Sequence, residues 1–328
     1  MKSLNKIIPI IAVILCLMFF TSCSSSTPQK DAPVNQSSSI GDVEDKTSEK
    51  TNAPKEENST TEQVKVNEEP VVTVDKEPEV TVNEQILLDK DGVKITLKGL
   101  TSEDIFGPSL KVLVENNSKG PITVQARDTS INGVMQETMF SCEVASGKKA
   151  NDELTIMQSG LDIAGIETIK DIELKLHIFN TDTWDTIFDT ETISITTTAD
   201  PSYVQKFDDN GFLALEKEGI KIVIKKLNVE DSIWGADVHV YVENNSKTDA
   251  TVQVRDLSIN GFMVSPMFSC DVLAGKKAYD TITFLESELE ENDITSIDNI
   301  ELAFHIFNIT TWDTIFDSDT ITVNFEKQ

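Results

Sequence analysis

The chain is short of the residues from which most catalytic and metal sites are made. Among 328 residues there are 3 histidines and 4 cysteines. No G-x-S-x-G and no H-E-x-x-H occurs, so neither a serine-hydrolase elbow nor a helical zinc pair is spelled out. Basic residues are scarce: 28 Lys and Arg stand against 56 Asp and Glu, a formal charge of −28. Such a surface repels nucleic acid and anionic lipid heads. Nothing in the sequence asks for a cofactor. From Ser24 to Glu84 there is no Phe, Trp or Tyr, and a stretch of that composition cannot bury enough apolar surface to fold.

What is present begins with a targeting pattern. Lys2 and Lys6 precede an apolar run, Ile7 to Phe20, too short for a comfortable membrane span. The run ends in Phe20-Thr21-Ser22-Cys23, followed by serines. These features together resemble the lipobox of bacterial lipoprotein precursors, with Phe20 where Leu is commoner. The resemblance implies that residues 1–22 are removed. It also implies that Cys23 becomes the lipid-bearing N-terminus, holding the protein to the extracytoplasmic face of the cell membrane. Residues 23–84 then read as an acidic tether of about 40–47 Å as a flexible coil, longer through self-repulsion. Within it "VVTVDKEPEVTV" alternates like a strand but is interrupted by proline, so it is either a short edge piece or stiff linker.

The rest of the chain is written twice. "HIFNTDTWDTIFD" from His177 returns as "HIFNITTWDTIFD" from His305, 128 positions later. "VENNSK" at Val114 returns at Val242, and "RDTSINGVM" at Arg127 returns as "RDLSINGFM" at Arg255. More than half of the positions from Val114 to Ile195 are identical between copies. This is a tandem duplication, with repeat 1 over 85–198, a linker over 199–211 and repeat 2 over 212–328.

Each copy reads as short strands. "GVKITLKGL", "SLKVLVENNS" and "ITVQARDTSI" alternate. Asn132-Gly133 is a strong hairpin signal. "MFSCEV" and "DELTIM" follow, then a helical turn, marked in repeat 2 by Ser287 and Glu290 at capping-box spacing. "DIELKLHIF" and "WDTIFDTETISI" close the copy. About seven strands with turns at this spacing predict an all-β fold, two tandem antiparallel β-sandwiches. "GVKITL", "VLVENNSKGPITVQ", "SINGVM" and the Gly-Lys turn resemble the immunoglobulin-like (telokin-like) domains of lipoproteins from Gram-positive bacteria. Those are mostly accessory or binding modules, so the resemblance implies no catalysis.

Period-two alternation sorts the candidate sites. Cys142 and Cys270 fall on the faces of their neighbours Phe140, Val144, Phe268 and Val272, as buried free thiols. Ile172, Leu174, Leu176 and Ile178 point one way, and His177 and Phe179 the other. If Ile187 faces the core, Trp184 and Phe188 face outward beside them. The same pattern gives His305, Phe307, Trp312 and Phe316 in repeat 2. A large outward apolar cluster usually marks a contact: a platform for a cell-wall glycan, a peptide or a protein. Alternatively the helical turn or the other repeat covers these rings, or a bulge turns the tryptophan inward. With Cys142 inward and His177 outward, a Cys-His nucleophile pair is not expected. Asn180, Asp182, Asp185 and Asp189 have oxygen donors that suit calcium, but Asx turns explain them better and no metal site is expected. The Gly147-Lys148-Lys149 and Gly275-Lys276-Lys277 turns read as solvated, and Arg127 and Arg255 as members of cross-strand ion pairs.

Overall fold

Apolar–polar alternation is what lays the strands down. In a computed structural model the described residues are 80–325, except 103–104 and 230–231. The signal segment, Cys23 and all of the tether before Val80 lie outside them. Repeat 1 runs β1 (Gln85–Lys90), β2 (Val93–Thr101), β3 (Ser109–Asn116), β4 (Ile122–Ile131), β5 (Val134–Met135), β6 (Thr138–Met139), β7 (Ser141–Val144), β8 (Lys148–Ile156), α1 (Gln158–Ala164), β9 (Asp171–Asn180), β10 (Thr186–Asp189) and β11 (Ile193–Thr196). Repeat 2 runs β12 (Phe212–Lys217), β13 (Ile220–Asn228), β14 (Gly235–Asn244), β15 (Ala250–Ile259), β16 (Phe262–Met263), β17 (Ser269–Val272), β18 (Lys277–Leu285), α2 (Glu286–Glu291), β19 (Asn299–Asn308), β20 (Thr314–Asp317) and β21 (Ile321–Asn324).

Each copy is a two-layer sandwich. In repeat 1 one sheet is ordered β1-β2-β3-β8-β6, and the other is built on β4 and β9, with β5 and β7 on the β4 side and β10 and β11 on the β9 side. Repeat 2 repeats this with β12-β13-β14-β18 against a sheet built on β15 and β19. Val93, Ile95 and Leu97 of β2 meet Val124, Leu174 and Ile178 in one buried cluster, and repeat 2 has its own equivalent cluster. Cys142 and Cys270 are buried in these clusters as free thiols. The buried residues of the two cores run from Val82 to Ile195 and from Ile220 to Val323, all within the unit Val72–Gln328.

The repeated words have structural meanings. Asn132 and Gly133 take φ of 51° and 83°, the left-handed pair that a two-residue type I′ hairpin requires. Asn132 Nδ2 also donates to the Thr168 carbonyl at 2.7 Å, and its Oδ1 accepts the amides of Lys170 and Asp171 at 2.9 and 3.0 Å. In "VENNSK" the first asparagine is fully buried. Asn116 Nδ2 donates to the Gly120 and Val144 carbonyls at 2.9 and 2.8 Å, while Oδ1 accepts the Ser118 amide and hydroxyl. Asn244 does the same in repeat 2. The expected capping box is not used. Leu285 is the N-cap of α2 and makes no side-chain cap bond, which leaves Ser287 inside the helix.

The two repeats meet edge to edge. Val134 of β5 pairs in parallel with Lys277 of β18, and the Lys277 amide donates to the Gly133 carbonyl at 3.0 Å. Lys276 Nζ reaches Glu173 at 2.5 Å, so this Gly-Lys turn is an interface rather than the solvated turn its composition predicts. Met135 packs on the core of repeat 2, and Tyr279 packs on the core of repeat 1. The linker is held as well: Lys170 Nζ donates to the Pro201 and Tyr203 carbonyls, and Lys277 Nζ stands 4.6 Å over the Phe207 ring.

Candidate functional site

The twice-written sentence folds into an aromatic ladder on the outer face of β9 and again of β19. Strand alternation puts His177 and Phe179 on that face, their rings 5.3 Å apart. The chain then turns. The Trp184 amide donates to the Asn180 carbonyl at 2.8 Å, and Asn180 Oδ1 accepts the amides of Asp182 and Thr183 at 2.9 and 3.0 Å. This is the Asx-turn use of Asn180. Among the described residues no group of three or more His, Cys, Asp or Glu is placed to hold a metal. The turn lays the Trp184 indole over Phe179, centroids 5.5 Å apart and planes 18° apart.

The ladder is graded in exposure. His177 is 7% exposed and Phe179 5%, whereas Trp184 is 74% exposed. The outward histidine and phenylalanine are therefore covered by their own hairpin, and the indole is the open rung. Trp184 has φ 65°, in the left-handed region that costs a bulky side chain energy. Repeat 2 reproduces each part. His305 and Phe307 are buried, and Trp312 is 74% exposed at φ 63°, stacked on Phe307 at 5.5 Å and 16°.

Phe188 and Phe316 correct the expected platform. A bulge between Thr186 and Phe188 shifts the register of β10 against β9. Phe188 then packs against the core while Ile187 is exposed, the reverse of simple alternation. Phe316 is buried in the repeat 2 cluster for the same reason. Lys90 and Lys217 cover the two rings at 4.4 and 4.6 Å.

One polar pair in each ladder was not anticipated from the sequence. His177 Nδ1 lies 2.6 Å from Asp189 Oδ1, and His305 Nδ1 lies 2.6 Å from Asp317 Oδ1. A carboxylate accepts, so Nδ1 donates and the ring orientation is fixed. The cue was available: an aspartate stands twelve residues after the histidine in both copies. Arg255 lies 3.8 Å from Asp317, the pair expected of it, whereas Arg127 makes no ion pair among the described residues and its neighbour Asp128 pairs with Lys175 instead. Each thiol sits in its core on the opposite side of the sheet from the histidine. Burial pushes the Cys142 thiol up to about 12 and the Cys270 thiol well above its usual range. A thiolate is thereby disfavoured in both copies.

No family model matches the chain, and no curated protein matches it. Among solved structures it is similar to the crystal structure of the YadV chaperone, at 12% identity, over 66% of this chain and 92% of that chain. The TM-score is 0.21, and a superposition that loose bears on nothing further.

Proposed function

We propose that the protein is a lipid-anchored lipoprotein on the extracytoplasmic face of the cell membrane, of Gram-positive type, whose two sandwiches form a non-catalytic binding module. The lipid on Cys23 is its membrane partner, and the indoles of Trp184 and Trp312 are its ligand platforms. The observation that carries this reading is the open rung: in both copies a tryptophan at positive φ presents a flat apolar ring to solvent, braced from behind by a buried phenylalanine. Flat stacked rings suit the apolar faces of sugars and of aromatic or proline-rich peptides. The acidic surface favours neutral or basic ligands. Two weak sites on one chain add avidity.

Trp184→Ala and Trp312→Ala each weaken binding of a wall glycan or peptide about tenfold, and together they abolish it, while the denaturation midpoint moves little. A second reading has its own support: each indole shields a buried phenylalanine, so the ladder also suits a spacer that serves a partner envelope protein. Under that reading the double variant binds envelope fractions unchanged but loses stability. The anchor has a separate test. Cys23→Ser releases the protein to the medium and ends incorporation of labelled palmitate.

A further inference from the structure

Among the described residues, the contact between the repeats leaves the counterpart of each of its two halves unused, one in each repeat. Repeat 1 offers a β5 edge, and repeat 2 takes it with β18 through Val134 and Lys277. The duplication copies both surfaces. Val134 corresponds to Phe262, Lys277 to Lys149, Lys276 to Lys148 and Glu173 to Glu301. In repeat 2 the β5 counterpart is β16, where Phe262 is 50% and Met263 64% exposed. In repeat 1 the β18 counterpart is the start of β8, where Lys148 and Lys149 are exposed. Glu301, on β19 across β15 from β16, is exposed too. Lys149 of β8 is paired with Glu115 of β3 as Lys277 of β18 is with Glu243 of β14, so the same register turns its amide to the open edge.

We infer that a second copy of this chain docks head to tail, its repeat 1 edge at Lys148–Lys149 seated on the β16 edge of the first. The second copy reproduces the intramolecular template: Lys149 beside Phe262, and Lys148 on Glu301 as Lys276 is on Glu173. The charges match locally, and the largest exposed side chains of β16 are covered. Such a contact is heterologous, so it propagates into short chains rather than closing a symmetric dimer. It is weak in solution. The intramolecular version benefits from a linker that raises the local concentration to roughly millimolar. The difference at Asn151, which stands where Tyr279 packs, removes one ring from the contact.

Disulfide trapping on residues 72–328 tests this at about 1 mM protein. Val134→Cys with Lys277→Cys is the positive control and closes within one chain. Phe262→Cys with Lys149→Cys in one chain gives a ladder of dimers, trimers and longer species under oxidation, while either single variant gives at most slow dimers. Absence of the ladder where the control closes overturns the inference. So does a Phe262→Cys single variant that dimerises as fast as the pair, since that is a face-to-face contact. Sedimentation of unmodified protein gives an independent reading. The average mass rises with concentration, Met263→Glu or Glu301→Lys holds it at the monomer, and Lys148→Glu restores association to Glu301→Lys. A mass unchanged up to about 1 mM, or no rescue by the reversed pair, rejects head-to-tail docking.

Discussion

Asp152 and Asp280 are the same residue written twice, and they live differently. Each accepts the amide of the next residue, Glu153 at 2.8 Å and Thr281 at 2.7 Å. Each neighbours the buried cysteine of its own copy. Asp280, however, lies in a cleft where repeat 1 covers repeat 2, facing Glu137 and Asp271, with Met135 and Ile163 among the walls. Burial, then those two carboxylates, raise its carboxyl to about 6. Equivalent positions of the two repeats thus share a backbone bond and a buried cysteine neighbour, while a neighbour in space raises Asp280. Glu173 and Glu301 carry the same lesson: the first is drawn to Lys276 of the other repeat, and the second lies 3.5 Å from Ser258 of its own copy.

The largest expected effect tests the sameness. Asn116→Ala and Asn244→Ala each remove the donor to the buried Val144 or Val272 carbonyl and the acceptor of the Ser118 or Ser246 amide, while the Gly120 and Thr248 carbonyls keep the Ser118 and Ser246 hydroxyls. Each costs about 2–4 kcal/mol, read by urea denaturation. If the copies are equivalent inside, the two losses agree. A large gap between them breaks the comparison.

Next comes the difference. A carboxyl whose native pKa is raised binds its proton more readily when folded than when unfolded, so ionising it opposes folding. Asp280 therefore removes stability as pH rises through about 6, and the protein regains it between about 6 and the unfolded carboxylate range near 4. Asp280→Asn should stabilise by about 1–2 kcal/mol at pH 8, after allowance for solvent screening. The gain fades at pH 4–5. Asp152→Asn, outside the cleft, is the control. Equal gains from both variants would show that the cleft is not the cause.

Much of this was legible in the chain. The duplication, the Asn-Gly hairpin and the inward cysteines follow from local chemistry: turn propensity and period two. The indole is outward, but not by alternation: that reading needs Ile187 inward, and Ile187 is exposed while a turn at positive φ carries Trp184 to the surface. Phe188 and Phe316 were misplaced because one bulge residue inverts every side chain beyond it, and "TWDTIFD" carries no signal for where the extra residue sits. The His177–Asp189 and His305–Asp317 pairs depend on that register and went unseen with it. The contact between repeats was illegible for a different reason. Lys148 and Lys276 sit in near-identical turns, and only the three-dimensional arrangement gives Lys276 a partner.

Those two lysines supply the smallest and sharpest test. Lys276 Nζ is mostly buried against Glu173, with the side chain 18% exposed, at a contact across the repeats. Lys148 is exposed. Ion pairs near a surface contribute about 0.2–1 kcal/mol, and partial burial moves this one toward the upper end. Lys276→Ala should lower stability by about 0.5–1 kcal/mol and Lys148→Ala by nothing measurable. A double-mutant cycle with Glu173→Ala assigns the loss, since Lys276→Ala is nearly silent once Glu173 is gone. The loss should shrink at 1 M salt, where the screening length falls to about 3 Å. A loss that survives high salt and the absence of Glu173 would belong to packing of the lysine stem between the repeats. The distinction drawn between Lys148 and Lys276 would then be one of buried surface rather than charge.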